Sequence, residues 1–396
     1  MTKQQADRPW RARAGEWVLR RLRWAAARGT ETQRLLSTLV AGGAGVVAVA
    51  IAGLAVEHVF EDGWTGPVRG PYPFWLTVSL LVWLLAFEWR LYLSRAVGTL
   101  YHVRMMPASL RNWHLETQEI ARRKYLRIVR VLRGVNLAAE AGVIDLRTDI
   151  AAVEDKLLDL VNADDDQTGY TIAPDILAPA AIALGYRVTV PPGTVFHDFG
   201  DQGRDNGFEW NLEDRPTSGF RDVTTGSAAG GGPVGIHIHA AFSRVTEYAP
   251  LQQQVRLRLH VGVIENGDLA PAQVGITRGR GLVHPLESTE EWVRTIRQAL
   301  HEARKDEPVV ITARVPKTVS LAAGYLLSPS HRSAEQLRSF DPGCGDECCQ
   351  NPACRNPWHY LLPLNYNQGT KLWEPVWLLP EQRDPRELLA LLEAAQ

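Results

Sequence analysis

The stretch Pro308–Leu327, PVVITARVPKTVSLAAGYLL, decides the fold class. Val309, Val310 and Ile311 form an apolar, β-branched run, too short for a helix and typical of a strand covered on both faces. Pro316 cannot donate to a sheet ladder, and its fixed φ suits the first turn of a helix. Ser320, Ala323 and Gly324 keep one side of that helix narrow, so it can lie close to a sheet. An earlier stretch, Tyr170–Val188 (YTIAPDILAPAAIALGYRV), has the same grammar. It reads strand, proline, small-residue helix, with Gly185-Tyr186 where the later copy has Gly324-Tyr325. Two copies of one strand–helix unit predict a duplicated α/β module.

The chain has 396 residues, enough for two or three domains. Its 45% hydrophobic and 22% charged residues are ordinary for a globular protein. A net charge of −1 argues against a general nucleic-acid-binding surface, though not against a local basic pocket. All four cysteines fall between Cys344 and Cys354, which is local chemistry and not a disulfide framework.

The amino-terminal third carries a different signal. Residues 1–34 are basic, with Trp10, Trp17 and Trp24 among the arginines, the pattern of a helix lying on an anionic lipid surface or of a solvated tail. Leu35–Val56 has no charged residue and has about the 20 residues that a bilayer span needs. Phe74–Leu93 is a second apolar segment, with Glu88 and Arg90 near one end, so 35–93 reads as two transmembrane helices with a short external loop. Gly42, Gly43, Gly45 and Gly53 would let spanning helices approach closely. Arginines flank the outer ends of the pair while the loop is poor in them, which places both termini in the cytoplasm.

Residues 94–150 read as connector helices, with helical periodicity running from Leu115 to Val161. The first module is expected over 151–228, with short strands at Thr194–Phe199 and Phe208–Leu212. Ser227–Pro233 (SAAGGGP) reads as a flexible link. The second module follows over 233–396, with strands at Val234–Ser243 and Val255–Ile264. An amphipathic helix is expected over Ser288–Lys305, capped by Ser288 or Thr289.

A strand ending in a proline, then a helix with spaced small residues and a glycine, occurs twice behind two spans. This resembles the SAVED-domain effectors of bacterial CBASS anti-phage systems. The residues that carry it are Val309–Val315, Pro316, Ser320 and Gly324 in one copy. In the other they are Tyr170–Pro174, Ala181, Leu184, Gly185 and His197–Phe199. The resemblance covers about Asn112 to Pro380. It implies two fused CARF-like, Rossmann-like modules and a cyclic oligonucleotide ligand made by a partner synthase. It further implies homo-oligomerisation on activation and disruption of the bacterial inner membrane as a multi-pass protein. No activity as an enzyme is implied. A structural membrane adaptor that binds no nucleotide is a third kind of reading.

Three constellations carry chemistry. Cys344, Cys348, Cys349, Cys354 and His359 lie within sixteen positions of a Gly/Pro/Asn-rich loop and suffice for a structural zinc site, with either Cys348 or Cys349 as ligand. His237 and His239 point to one face of a strand. With His197 and Asp198 they would give a membrane-tethered, metal-dependent hydrolase. Doubly wound sheets bind ligands beyond the carboxyl ends of their strands. That rule selects Asp175, Ser243, Arg244, Arg314 and Lys317 for the ligand, with Trp210 or Phe242 stacking on a base.

Overall fold

The computed structural model describes scattered residues between 39 and 87 and most of the chain from 98 onward. Outside the described residues lie 1–38, 88–97, 125, 165–168, 200–206, 214–218, 243–253, 266–267, 271–272, 277–281, 329–355, 368–369 and 395–396. The chain forms two compact units. One holds 1–100, 117–128 and 165–169; the other holds 101–116, 129–164 and 170–396.

In the first unit the described residues between 39 and 87 are helical. Trp83 stacks on Phe87 at 5.3 Å, and Gly45 leaves room for the Trp83 ring, which a Cβ there would meet at 3.3 Å. Val46, Leu81 and Leu85 are exposed. Among the described residues, no helix is long and apolar enough to cross a membrane.

From residue 99 the elements run β1 (Thr99–Met106), α1 (His114–Arg123), β2 (Arg127–Gly134), β3 (Ile144–Asp145), α2 (Arg147–Asn162), β4 (Tyr170–Ile176) and α3 (Ala178–Arg187). Then follow β5 (Val195–Asp198), β6 (Phe208–Asn211), β7 (Thr224–Ala229), β8 (Ile236–Ala241), β9 (Leu257–Glu265), β10 (Asp268–Ala270), β11 (Gln273–Val274) and β12 (Leu282–Val283). The chain closes with α4 (Pro285–Glu302), β13 (Val309–Arg314), α5 (Lys317–Leu327), β14 (Leu361–Asn367), β15 (Leu372–Trp377) and α6 (Pro385–Glu393).

Two mixed sheets result. The first has the order β2-β1-β4-β5-β6; the second has β10-β9-β8-β13-β14-β15-β3, with β7 also on β9. In each, a fully buried strand (β4, or β13 over Val309–Val310) feeds a helix and then a parallel neighbour, β5 or β14. Each neighbour then pairs antiparallel with the next strand, β6 or β15. The duplication holds at the level of single residues. Tyr170, which opens β4, and Val309, which opens β13, are 139 positions apart (309 − 170), and so are the starts of α3 and α5 (317 − 178).

Helices α3 and α5 pack on each other backbone to backbone. A Cβ on Gly185 would stand 1.9 Å from the carbonyl oxygen of Leu321, and one on Gly324 would stand 1.9 Å from that of Ile182. Both pairs keep the 139-residue offset, so the contact is reciprocal. The glycine α-hydrogens occupy the space, in the manner of weak Cα–H···O contacts. Ala180, Ala181, Ala183, Ala322 and Ala323 are fully buried around it. One apolar cluster joins the two sheets, from Tyr101 and Ile172 through Ile182 and Leu321 to Val309 and Trp358.

Four expectations need correction. The helical reading of 115–161 gives way to a shorter α1, the strand β2 and then α2. Arg127, Arg130 and Arg133 recur at a helix-like spacing, but β-branched Ile128, Val129 and Val131 form an edge strand. The buried strand β1 occupies part of the expected connector. The Ser227–Pro233 link is ordered: Ser227–Ala229 pair with β9, and Gly230 and Gly232 donate to Arg256 and Val255 at 2.8 and 3.0 Å. Helix α4 is capped by His284, not by Ser288 or Thr289, because Pro285 starts the helix; those hydroxyls bond to the carbonyls of His284 and Pro285 one turn back.

Adding a methyl group at the reciprocal contact must push the helices apart. Gly185→Ala and Gly324→Ala are each expected to lower stability by about 1–3 kcal/mol, measured by urea unfolding. Gly134→Ala, where nothing lies within 4 Å of an added Cβ, should leave the midpoint unchanged.

Candidate functional site

The site is built where the strand ends meet the helix starts. Asp175 is the penultimate residue of β4 and is buried, 1% exposed. Its carboxylate takes Arg104 of β1 on one oxygen and Lys317, the first residue of α5, on the other at 2.6 Å. Thr318 donates to Asp198 at the end of β5 at 3.2 Å. The amino end of the second copy's helix is thus tied to the carboxyl ends of the first copy's strands. Helix α3 starts two residues after Ile176 ends β4, so the amino ends of both helices gather at Asp175.

Arg104 carries this order outward. It donates to the carbonyls of Arg111 (2.7 Å), Leu110 (2.9 Å) and Pro107 (3.3 Å), which fixes the 107–111 loop. The loop delivers Arg111 over the Trp113 ring at 4.1 Å, and Trp113 stacks on Phe199 at 5.3 Å. Phe199 also meets the edges of His102 (5.8 Å) and His197 (5.5 Å). Burial lowers the His102 imidazole to about 4, with Asp175 pulling the other way.

On the second sheet Arg314 ends β13 and lies over Tyr366 at 4.3 Å and Trp373 at 5.9 Å. Beneath it, His237 and His239 share the Thr312 hydroxyl at 2.8 and 3.0 Å. One hydroxyl hydrogen can serve only one ring, so the other ring nitrogen carries the proton. Burial pushes both imidazoles down to about 3; nearby His260 and Arg258 act in the same direction on His237, and His237 and His260 do so on His239.

The residues selected from sequence are distributed as follows. Asp175 and Lys317 come together, and Arg314 ends the equivalent strand three positions before Lys317. Ser243, Arg244, Cys344, Cys348, Cys349 and Cys354 lie outside the described residues. His359 is exposed in a short 3-10 turn against Tyr360. Trp210 and Phe242 are each 1% exposed, Trp210 against Phe196 at 5.0 Å, so both are core residues and not stacking platforms. His197 bonds to Glu209 at 3.1 Å on the first sheet, while His237 and His239 bond to Thr312 on the second. Among the described residues, no three His, Cys, Asp or Glu side chains are placed to hold a metal. Arg104, Trp113, Tyr366 and Trp373 were not selected for the site from sequence, and Phe199 entered only as part of the His197–Phe199 resemblance. Only Arg104, a charge inside an apolar strand, leaves a visible signal there.

No family model matches the chain, and no curated protein matches it. Three solved structures from Acinetobacter baumannii are similar to it, all of the Cap4 SAVED/CARF-domain containing receptor and all at 10% identity. The one with the cyclic trinucleotide 2'3'3'-cAAA has a TM-score of 0.35 and covers 80% of this chain and 57% of its own. The one with 3'3'3'-cAAA has a TM-score of 0.37 and covers 78% and 56%. The third, of the receptor, has a TM-score of 0.34 and covers 78% and 54%. The chain therefore spans little more than half the length of those structures.

Asp175→Asn strips the counter-charge from buried Arg104 and is expected to cost about 3–5 kcal/mol in urea unfolding. Lys317→Ala, at a partly exposed position, should cost far less. The buried histidines give a pH signature. Their folded pKa values lie below the unfolded value near 6.5, so the unfolded chain takes up protons first as pH falls. Stability is full above pH 6.5 and declines from there, the His102 share down to about pH 4 and the His237 and His239 shares down to about pH 3. His102→Leu should flatten that decline in a series of unfolding midpoints.

Proposed function

We propose that this chain is a membrane-anchored receptor for a cyclic oligonucleotide, of the SAVED type, in bacterial antiviral defence. The observation that carries the reading is the convergence at Asp175, where the ends of two duplicated strand–helix units are tied together by Lys317. Open α/β sheets take ligands beyond the carboxyl ends of their strands, and helix amino ends favour anions. The first turn of helix α5 has backbone N–H groups with no partner inside the helix, beside Lys317 and, three positions earlier, Arg314. Asp175 holds Lys317 at 2.6 Å. A ligand phosphate would compete with that carboxylate, so binding is coupled to the register of α5 against the first sheet.

The segments 35–56 and 74–93 would span the inner membrane with both termini cytoplasmic. Support comes from their apolar length, uncharged over 35–56 and charged only at Glu88 and Arg90 over 74–93, and from exposed Val46, Leu81 and Leu85. The ligand, supplied by a partner synthase, would favour side-by-side assembly of the cytoplasmic parts and gather the paired helices until the bilayer is breached. That requires greater affinity for the assembled state. The receptor turns over no substrate, and the cysteine loop with His359 would hold a structural zinc. The histidine-based hydrolase is disfavoured by the engagement of His237 and His239 with Thr312 at 1% exposure.

The test is calorimetry of the full-length chain in lipid nanodiscs against cyclic di-, tri- and tetranucleotides. Tight binding of one member, and dye leakage from liposomes carrying the protein only when that member is added, is the expected outcome. No binding across the panel by folded protein sinks the receptor reading and leaves the adaptor.

A further inference from the structure

We propose that the chain grips two heterocyclic bases of its ligand on two arginine–aromatic platforms at equivalent positions of the duplicated units. One is Phe199 with Trp113 and Arg111; the other is Tyr366 with Trp373 and Arg314. The proposal rests on the receptor reading and names the groups that would recognise the bases.

The equivalence follows from the strand register. Ile172 of β4 pairs with Phe196 of β5, and Ile311 of β13 pairs with Pro363 of β14. Ile172 and Ile311 are related by the 139-residue offset, so Phe196 and Pro363 are equivalent. Three residues further along, Phe199 and Tyr366 are equivalent too. Both therefore stand at the carboxyl edge of their sheets, each one strand away from Asp175 or Arg314. The tryptophan partners come from different places: Trp113, stacked on Phe199, from the loop after β1, and Trp373, tilted by 55° against Tyr366 at 5.4 Å, from β15 across from it. Two unrelated routes supply the same combination of ring, tryptophan and guanidinium.

These rings are unlike the core aromatics beside them. Phe196 and Trp210 are buried at 0% and 1%, whereas Phe199, Trp113, Tyr366 and Trp373 are all partly exposed. A partly exposed aromatic face flanked by a guanidinium suits a nucleobase, which brings both a π-face and a neighbouring phosphate. The first platform also has polar atoms for a base edge. His102 is fully buried and neither of its ring nitrogens has a partner among the described residues; the same holds for Nε2 of His197. A Cβ at Gly207 would come within 2.8 Å of the Asp198 carbonyl oxygen and 3.3 Å of that Nε2, so a larger residue there would crowd the imidazole. A neutral imidazole presents one donor and one acceptor, which suits hydrogen bonding to a heterocycle edge. The second platform has Arg314 where the first has Asp175, so the two halves read the ligand differently.

The experiment titrates the full-length protein in nanodiscs with the cyclic oligonucleotide panel, then repeats the best binder on variants. Phe199→Leu and Tyr366→Leu keep apolar bulk and lose the π-face; each should weaken binding about tenfold or more. Phe199→Tyr and Tyr366→Phe should bind within about twofold of wild type, since the stacking face is kept. Trp377→Phe is the control: Arg147 lies over that ring at 3.5 Å, at the opposite end of the sheet, and affinity should not change. Melting curves establish that each variant is folded; should Phe199→Leu not fold, Trp113→Leu takes its place. Wild type that binds while folded leucine variants bind equally well overturns the platforms and leaves the receptor reading standing. Wild type that binds no member overturns both.

Discussion

Two glycine α-carbons pressed against two carbonyl oxygens hold the halves of this protein in register. Gly185 faces Leu321, and Gly324 faces Ile182. Any larger residue at either position would separate α3 from α5 and, with them, the strand ends they follow. Burial of the surrounding alanines rewards close approach, and the lack of a Cβ permits it. Because the contact is reciprocal, it fixes an internal two-fold relation between units that are 139 residues apart in sequence.

That relation puts unlike chemistry at like positions. Asp175 on one strand corresponds to Arg314 on the other, and Ala178 at the start of α3 corresponds to Lys317 at the start of α5. A symmetric pair of strand ends thus becomes a charged junction, with one buried carboxylate held between Arg104 and Lys317. Arg104 spends its remaining donors on three carbonyls of the 107–111 loop. The order of that loop, and of the Trp113–Phe199 stack, therefore depends on a carboxylate 71 positions beyond Arg104. A two-fold scaffold with asymmetric groups suits a cyclic ligand whose repeating units need not be read alike.

The parts legible in the sequence were those set by local chemistry. The β-branched run before Pro316 and the small-residue helix after it, with their earlier copy, announce β13–α5 and β4–α3. The period of Trp292, Val293, Ile296 and Leu300 announces α4. What stayed hidden was set by tertiary contact. Strand β2 carries arginines at a spacing that mimics a helix face, while its β-branched residues and its neighbour β1 favour a strand. The glycines at 230 and 232 read as a flexible link, yet they are glycines so that the 254–256 backbone can approach. Trp210 and Phe242 looked available for stacking until the core closed over them. Phe199 and Tyr366 could be matched only through strand register.

We propose that the two duplicated strand–helix modules, both within the larger compact unit, make one shared site and not two separate ones. Native mass spectrometry of the full-length protein, titrated with a cyclic oligonucleotide that it binds, counts ligands per chain directly. The account predicts saturation at one ligand per chain, with Gly185→Ala and Gly324→Ala each weakening that single event. Two ligands per chain, bound independently and indifferent to either glycine substitution, would contradict it.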